Sequence, residues 1–182
     1  MVESKMPESP LASIYREIEQ ALAANLYYLA IAVTVSIPDI CATLEGKAPT
    51  DWNTYKTWFR ENAGDRFTNF GEDECYELRC GVVHNAKLMG GKVKRSKYDR
   101  IILTPPNSLA LIHDGVMSNI GGLTETVLCM DVTMLCEAMI AAARAWERAN
   151  ERNETVSNNM ANVVRLRPEG LDPYIVGIGV IS

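Results

Sequence analysis

The sequence predicts a mainly α fold: a bundle of four to five helices with a small β insertion at about 98–128 and a C-terminal strand. Three observations carry that reading. Apolar residues recur at three- and four-residue steps over 14–33 and again over 132–146, the period of one buried helix face. Aromatic residues gather at the same spacing between 52 and 59. From 98 to 127 the helical period gives way to short apolar runs broken by proline and glycine. At 182 residues one domain is the natural expectation, long enough to bury a substantial core. It divides into a disordered lead at 1–9, a helical domain at 10–152 with its insertion at 91–130, and a tail at 153–182 packing on the same domain.

Pro10 suits a first helical turn with Ser9 as its cap. Ile14, Ile18, Leu22, Leu26 or Leu29, and Val33 then form one stripe, widened by Tyr27, Tyr28, Ala30 and Ile31. That half is expected deep in the bundle or at a subunit contact. Pro38 removes an amide and clashes with the preceding turn, so a break is expected at Ser36-Ile37, followed by a short helix to Leu44. Thr50 or Asp51 caps the next helix, which runs to about Asn62 and carries Trp52, Tyr55, Trp58 and Phe59 as core.

Glu72, Asp73 and Glu74 then crowd a helix start, where acids offset the positive end of the dipole. Gly90-Gly91 is the expected stop, with Cys75, Leu78, Val82 and Ala86 inward. Arg100–Leu103 reads as a strand, Asp114-Gly115 as a hairpin turn, and Gly121-Gly122 as a second turn. Asp131 caps the last long helix, with Val132, Leu135, Cys136, Met139, Ile140, Ala143 and Trp146 inward and Glu137, Arg144, Glu147, Arg148 and Glu151 solvated. Tyr174–Ile181 reads as a glycine-interrupted strand that should pair with the insertion or a partner chain.

The formal net charge is −5, which excludes a protein that coats nucleic acid with global positive charge. Attraction for RNA must be local, and one basic strip offers it: Lys87, Lys92, Lys94, Arg95, Lys97 and Arg100. Five cysteines without C-x-x-C spacing, a polar N-terminus lacking a secretory pattern, and no apolar run near the ~20 residues of a membrane span point to a reduced cytoplasm. With two histidines and neither a P-loop nor G-x-G-x-x-G, no metal and no cofactor are expected.

Upstream of the basic strip lie Arg79 and His84. Imidazole has the pKa of a neutral-pH base, and guanidinium is a planar fork for phosphate oxygens. Asn85 could orient His84 or bind substrate. Five residues apart on an ideal helix means about 140° of rotation and about 7.5 Å of rise. Using both groups therefore requires arginine's reach, helix distortion or a second subunit. The alternative is structural, with Arg79 paired to Asp73, Glu74 or Glu77. His113-Asp114 reads as a hairpin turn before it reads as an acid–base pair.

The segment Arg79-Cys-Gly-Val-Val-His84 resembles the R-x4-6-H motif of the HEPN superfamily, all-α domains that include many metal-independent endoribonucleases of toxin–antitoxin and anti-phage defence systems. The helical pair before the motif and the long helix after it resemble the family's bundle layout. Cys80 stands where catalytic members commonly carry Asn, Asp or His. The resemblance implies RNA cleavage by Arg79, His84 and Asn85 in a composite homodimer site, with an antitoxin or other protein as a further partner. It implies equally a non-catalytic RNA- or nucleotide-binding or protein-interaction domain as the alternative.

Overall fold

The computed structural model describes residues 9–47, 51–89, 96–106, 111–119, 121–122 and 124–182. Most of the lead and Lys92, Lys94 and Arg95 of the basic strip lie outside them. The fold is mainly α, with small sheets.

α1 (Leu11–Ala23) and α2 (Tyr27–Thr34) occupy the stretch that reads as one stripe. The chain turns between them, because Asn25 takes a φ of 59°, a left-handed conformation that asparagine adopts more readily than most residues. The Leu26 amide closes the turn onto the Ala21 carbonyl at 2.8 Å. This turn corrects the expected stripe. Ile18, Ala30 and Ile31 are buried, whereas Leu26, Tyr28 and Leu29 are each about half exposed. The break before Pro38 falls where expected, and α3 (Ile37–Leu44) follows. By length and composition Tyr27–Leu44 is apolar enough to cross a membrane, and half of it is buried within the fold. That stretch is two short helices, with Val35 and Ser36 between α2 and α3.

α4 (Trp52–Asn62) begins where the Asp51 carboxylate accepts the Asn53 amide at 3.0 Å. Tyr55, Trp58 and Phe59 fill the core, while Trp52 stays at the rim beneath the Lys56 ammonium. After a 3-10 turn at Gly64–Arg66 comes α5 (Glu72–Asn85). Its first turn is tied by Glu74, whose carboxylate accepts from the Gly71 amide at 3.1 Å and the Lys97 amide at 3.2 Å. α5 ends five residues short of Gly90. Ala86 supplies the left-handed residue, at φ 52°, and the Lys87 amide closes onto Gly81. Cys75, Leu78 and Val82 are buried as expected; Ala86, beyond the helix end, is exposed.

The insertion is a three-stranded sheet of β1 (Arg100–Thr104), β2 (Gly115–Ser118) and β3 (Thr126–Asp131), in the order β1-β3-β2. β1 runs parallel to β3 and β2 antiparallel to it. The Asp114-Gly115 hairpin is corrected, because β2 pairs with β3 and residues 111–113 form no strand. Asp114 has other work. Its carboxylate accepts the backbone amides of Thr68, Asn69 and Phe70, and the Asn69 side chain donates back to its carbonyl. The insertion is thereby tied to the turn that leads into α5.

β3 passes directly into α6 (Val132–Ala149), whose first turn is capped by Asp131 accepting from Met134 at 2.9 Å. The inward face is the expected one. Glu147, expected to be solvated, instead accepts from the Tyr15 hydroxyl at 2.9 Å and from Ser9. Trp146 packs edge-on to Trp58 with centroids 6.5 Å apart, joining α6 to α4. α7 (Glu154–Met160) is capped by Asn153 and anchored by Asn159, which donates to the Leu44 carbonyl at 3.0 Å.

The tail corrects a further expectation. It folds on itself in two nested ladders, β4 (Leu166–Arg167) with β7 (Val180–Ile181) and β5 (Gly170–Leu171) with β6 (Ile175–Val176), and among the described residues it does not pair with the insertion. Gly170 makes this reversal feasible: at φ 93°, a Cβ there would lie 2.1 Å from the Ile175 oxygen.

Candidate functional site

α5 carries the site at its C-terminal end, against α2 and α3. The Tyr28 hydroxyl fixes that end to α2 by donating to the Val82 carbonyl at 3.0 Å. Within one chain Arg79 and His84 meet: Arg79 Nη1 lies 2.8 Å from His84 Nε2. Arginine's reach overcomes the 140° divergence expected on an ideal helix. Guanidinium can only donate, so His84 Nε2 is the acceptor and the ring proton of the neutral form sits on Nδ1.

The other side of the guanidinium faces α3, where Arg79 Nε donates to Asp39 Oδ2 at 3.0 Å. Both side chains are largely shielded, at 16% and 22% exposure. Burial alone would lower the guanidinium pKa, but the Asp39 carboxylate and the neighbouring Cys80 thiol raise it. Two of the acids considered from sequence are engaged elsewhere: Asp73 pairs with Lys56 at 2.6 Å, and Glu74 holds the two amides described above. Asp39 is the residue that sequence reading missed. Its position in the first turn of α3 beside Pro38 accounts for it locally, and no spacing pattern connects it to Arg79.

Asn85 bonds away from His84, its amide donating to the Cys80 carbonyl at 3.3 Å. His84, Asn85 and Lys87 are exposed. Beyond them a cleft of about 540 Å³ opens between 87–89 and β1, bringing together Lys87 and Arg100. Arg100 is paired there, through Nε and Nη2, to the Glu125 carboxylate at 3.2 Å each. The Lys97 ammonium lies 5.1 Å from the Tyr98 ring centre, and its contact with that ring's hydroxyl raises its pKa. On the other flank, Asp39 lines a mainly aliphatic groove of about 730 Å³ that includes Ile14, Ile40, Leu44 and Val163.

His113-Asp114 does not form an acid–base pair: the carboxylate is held by three backbone amides, and His113 lies beside Phe67. Among the described residues no three His, Cys, Asp or Glu side chains are grouped to hold a metal ion. No family model, curated protein or solved structure matches this chain.

Proposed function

We propose that the protein is a metal-independent endoribonuclease of HEPN type, acting in a toxin or anti-phage defence role. The observation that carries the reading is the 2.8 Å approach of Arg79 Nη1 to His84 Nε2 on an exposed helix end, beside the cleft containing Lys87 and Arg100. A base and a permanent cation that share one hydrogen bond can both touch one phosphodiester. His84 Nε2 takes the proton of a ribose 2′-hydroxyl, and the freed oxygen attacks the adjacent phosphorus. Arg79 holds the phosphate oxygens as charge accumulates on them. The 5′-oxygen leaves with a proton from a general acid, and the products are a 2′,3′-cyclic phosphate and a 5′-hydroxyl.

A single chain supplies one imidazole at this place, so the acid is His84 of a second copy. A surface for that copy adjoins the site, where Leu26 just before α2, Tyr28 and Leu29 of α2 and Val83 of α5 are exposed apolar residues. The HEPN-like helical bundle, the homodimer and the RNA partner belong to this same reading, as does the antitoxin or other protein that would silence it.

The test is cleavage of single-stranded RNA by the wild type, His84→Ala and Arg79→Ala. Each variant is expected to lose about 10²- to 10⁴-fold, the usual contribution of a general acid–base group. Equal cleavage by all three removes the nuclease reading. Salt-sensitive RNA binding without cleavage selects the non-catalytic alternative.

A further inference from the structure

We propose that Arg79 latches His84 in the free protein, that Asp39 holds the latch shut, and that a nucleic-acid phosphodiester opens it by drawing the guanidinium away. The inference rests on the site described above and concerns how that site is regulated.

Two hydrogen bonds define the latch. Asp39 Oδ2 fixes Arg79 through Nε at 3.0 Å, and Arg79 Nη1 reaches His84 Nε2 at 2.8 Å. The second bond engages the lone pair that a base needs to accept a proton. Because guanidinium has no lone pair of its own, the bond also fixes the neutral ring in the Nδ1–H form. The idle site is therefore correctly oriented and blocked. A phosphodiester presents anionic oxygens matched to the guanidinium fork, a stronger acceptor than a neutral ring nitrogen. Once Arg79 turns to the phosphate, Nε2 is free beside the substrate that released it. Asp39 is thus a positioning residue acting through Arg79. Its carboxylate also competes with phosphate for the same cation, so the latch yields to a polyanion held by several contacts in preference to a weakly held anion.

The chain has two histidines, so His113 serves as an internal reference for His84. Long-range proton–nitrogen NMR on the uniformly labelled full chain reads both rings. At mildly alkaline pH, His84 is expected in the Nδ1–H form. Adding a short single-stranded deoxyoligonucleotide, which carries phosphodiesters and lacks the 2′-hydroxyl, should shift the His84 nitrogens and leave those of His113 in place. Asp39→Asn, and separately Arg79→Lys, should abolish the His84 tautomer preference before any ligand is added. A second variant guards against misfolding of the first.

His84 in the Nε2–H form, or unmoved by the oligonucleotide, overturns the latch, as does an unchanged tautomer in both variants. A response to inorganic phosphate with none to the oligonucleotide overturns the assignment to a nucleic-acid backbone. Failure of the latch and failure of the nuclease are distinguishable. RNA cleavage with a silent His84 spectrum removes only the latch; the full NMR response without cleavage removes only the nuclease.

Discussion

Asp114 organises three successive backbone amides from outside the insertion. Its side chain accepts the amides of Thr68, Asn69 and Phe70, and its backbone takes a φ of 52° to present it. Those donors form the turn that delivers Gly71 to the start of α5. Removing the carboxylate strands amides that have no other acceptor among the described residues, so Asp114→Ala should cost about 2–3 kcal/mol in chemical denaturation. Asp114→Asn keeps one acceptor oxygen and should fall between the two. The sequence shows an Asp-Gly pair and invites a hairpin; the correct partner, some forty-five residues upstream, is a non-local contact that no local turn rule encodes. Asp39 escaped for the same reason. Arg79 and His84 were legible because they share a helix, where spacing fixes geometry closely enough to pose the question that arginine's length answers.

The ends of the elements, more than their interiors, separate expectation from structure. Core faces with a clean helical period were legible: Tyr55, Trp58 and Phe59 in α4, and the run from Val132 to Trp146 in α6, are buried as their spacing requires. Caps with a side-chain acceptor, Asp51 and Asp131, were legible too. The stops were not. α5 ends on Ala86 at φ 52° with two glycines close downstream, and α1 ends where Asn25 turns left-handed. Asn25 turns left-handed in keeping with asparagine's local preference, whereas Ala86 does so against its own. An alanine held left-handed is strained, so Ala86→Gly should stabilise the protein by about 1 kcal/mol in thermal melts. No stabilisation would mean that the gain is offset by glycine's greater freedom in the unfolded chain. β3 was missed outright. Its Val-Leu-Cys-Met run is buried along its length, and such a run lacks the alternation that marks a half-exposed strand.

At the scale of the whole molecule, the free thiols make stability depend on alkaline pH. Burial pushes the Cys75 thiol up to about 12 and the Cys136 thiol up to about 11, from an ordinary value of 9.0. Folded chains keep these protons while unfolded chains release them, so the unfolded state binds fewer protons above pH 9 and stability falls as pH rises. The loss should begin near pH 9 and continue to about pH 12, measured as denaturation midpoints across that range. Cys75→Ala should flatten the slope, because the Tyr55 hydroxyl retains its bond to the Val35 carbonyl at 2.8 Å. A slope unchanged in that variant would assign the loss to other groups. The exposed strip of α2 makes a second expectation at this scale. If the protein pairs through Leu26 and Leu29, Leu29→Glu should convert a sedimenting dimer to a monomer and abolish RNA cleavage while leaving helical content intact. A wild type that sediments as a monomer at micromolar concentration removes the composite site.

The passage from β3 into α6 contains no intervening residue, since Asp131 is both the final strand position and the helix cap. Sheet and bundle therefore have no slack between them. Sliding the central strand by one residue would drag the cap out of its seat and rotate the longest helix against the aromatic core. The two should open together, so that amide exchange in Leu128 and Met130 keeps pace with that in the first turns of α6. Grafting a flexible spacer at this seam would free each half to fray alone.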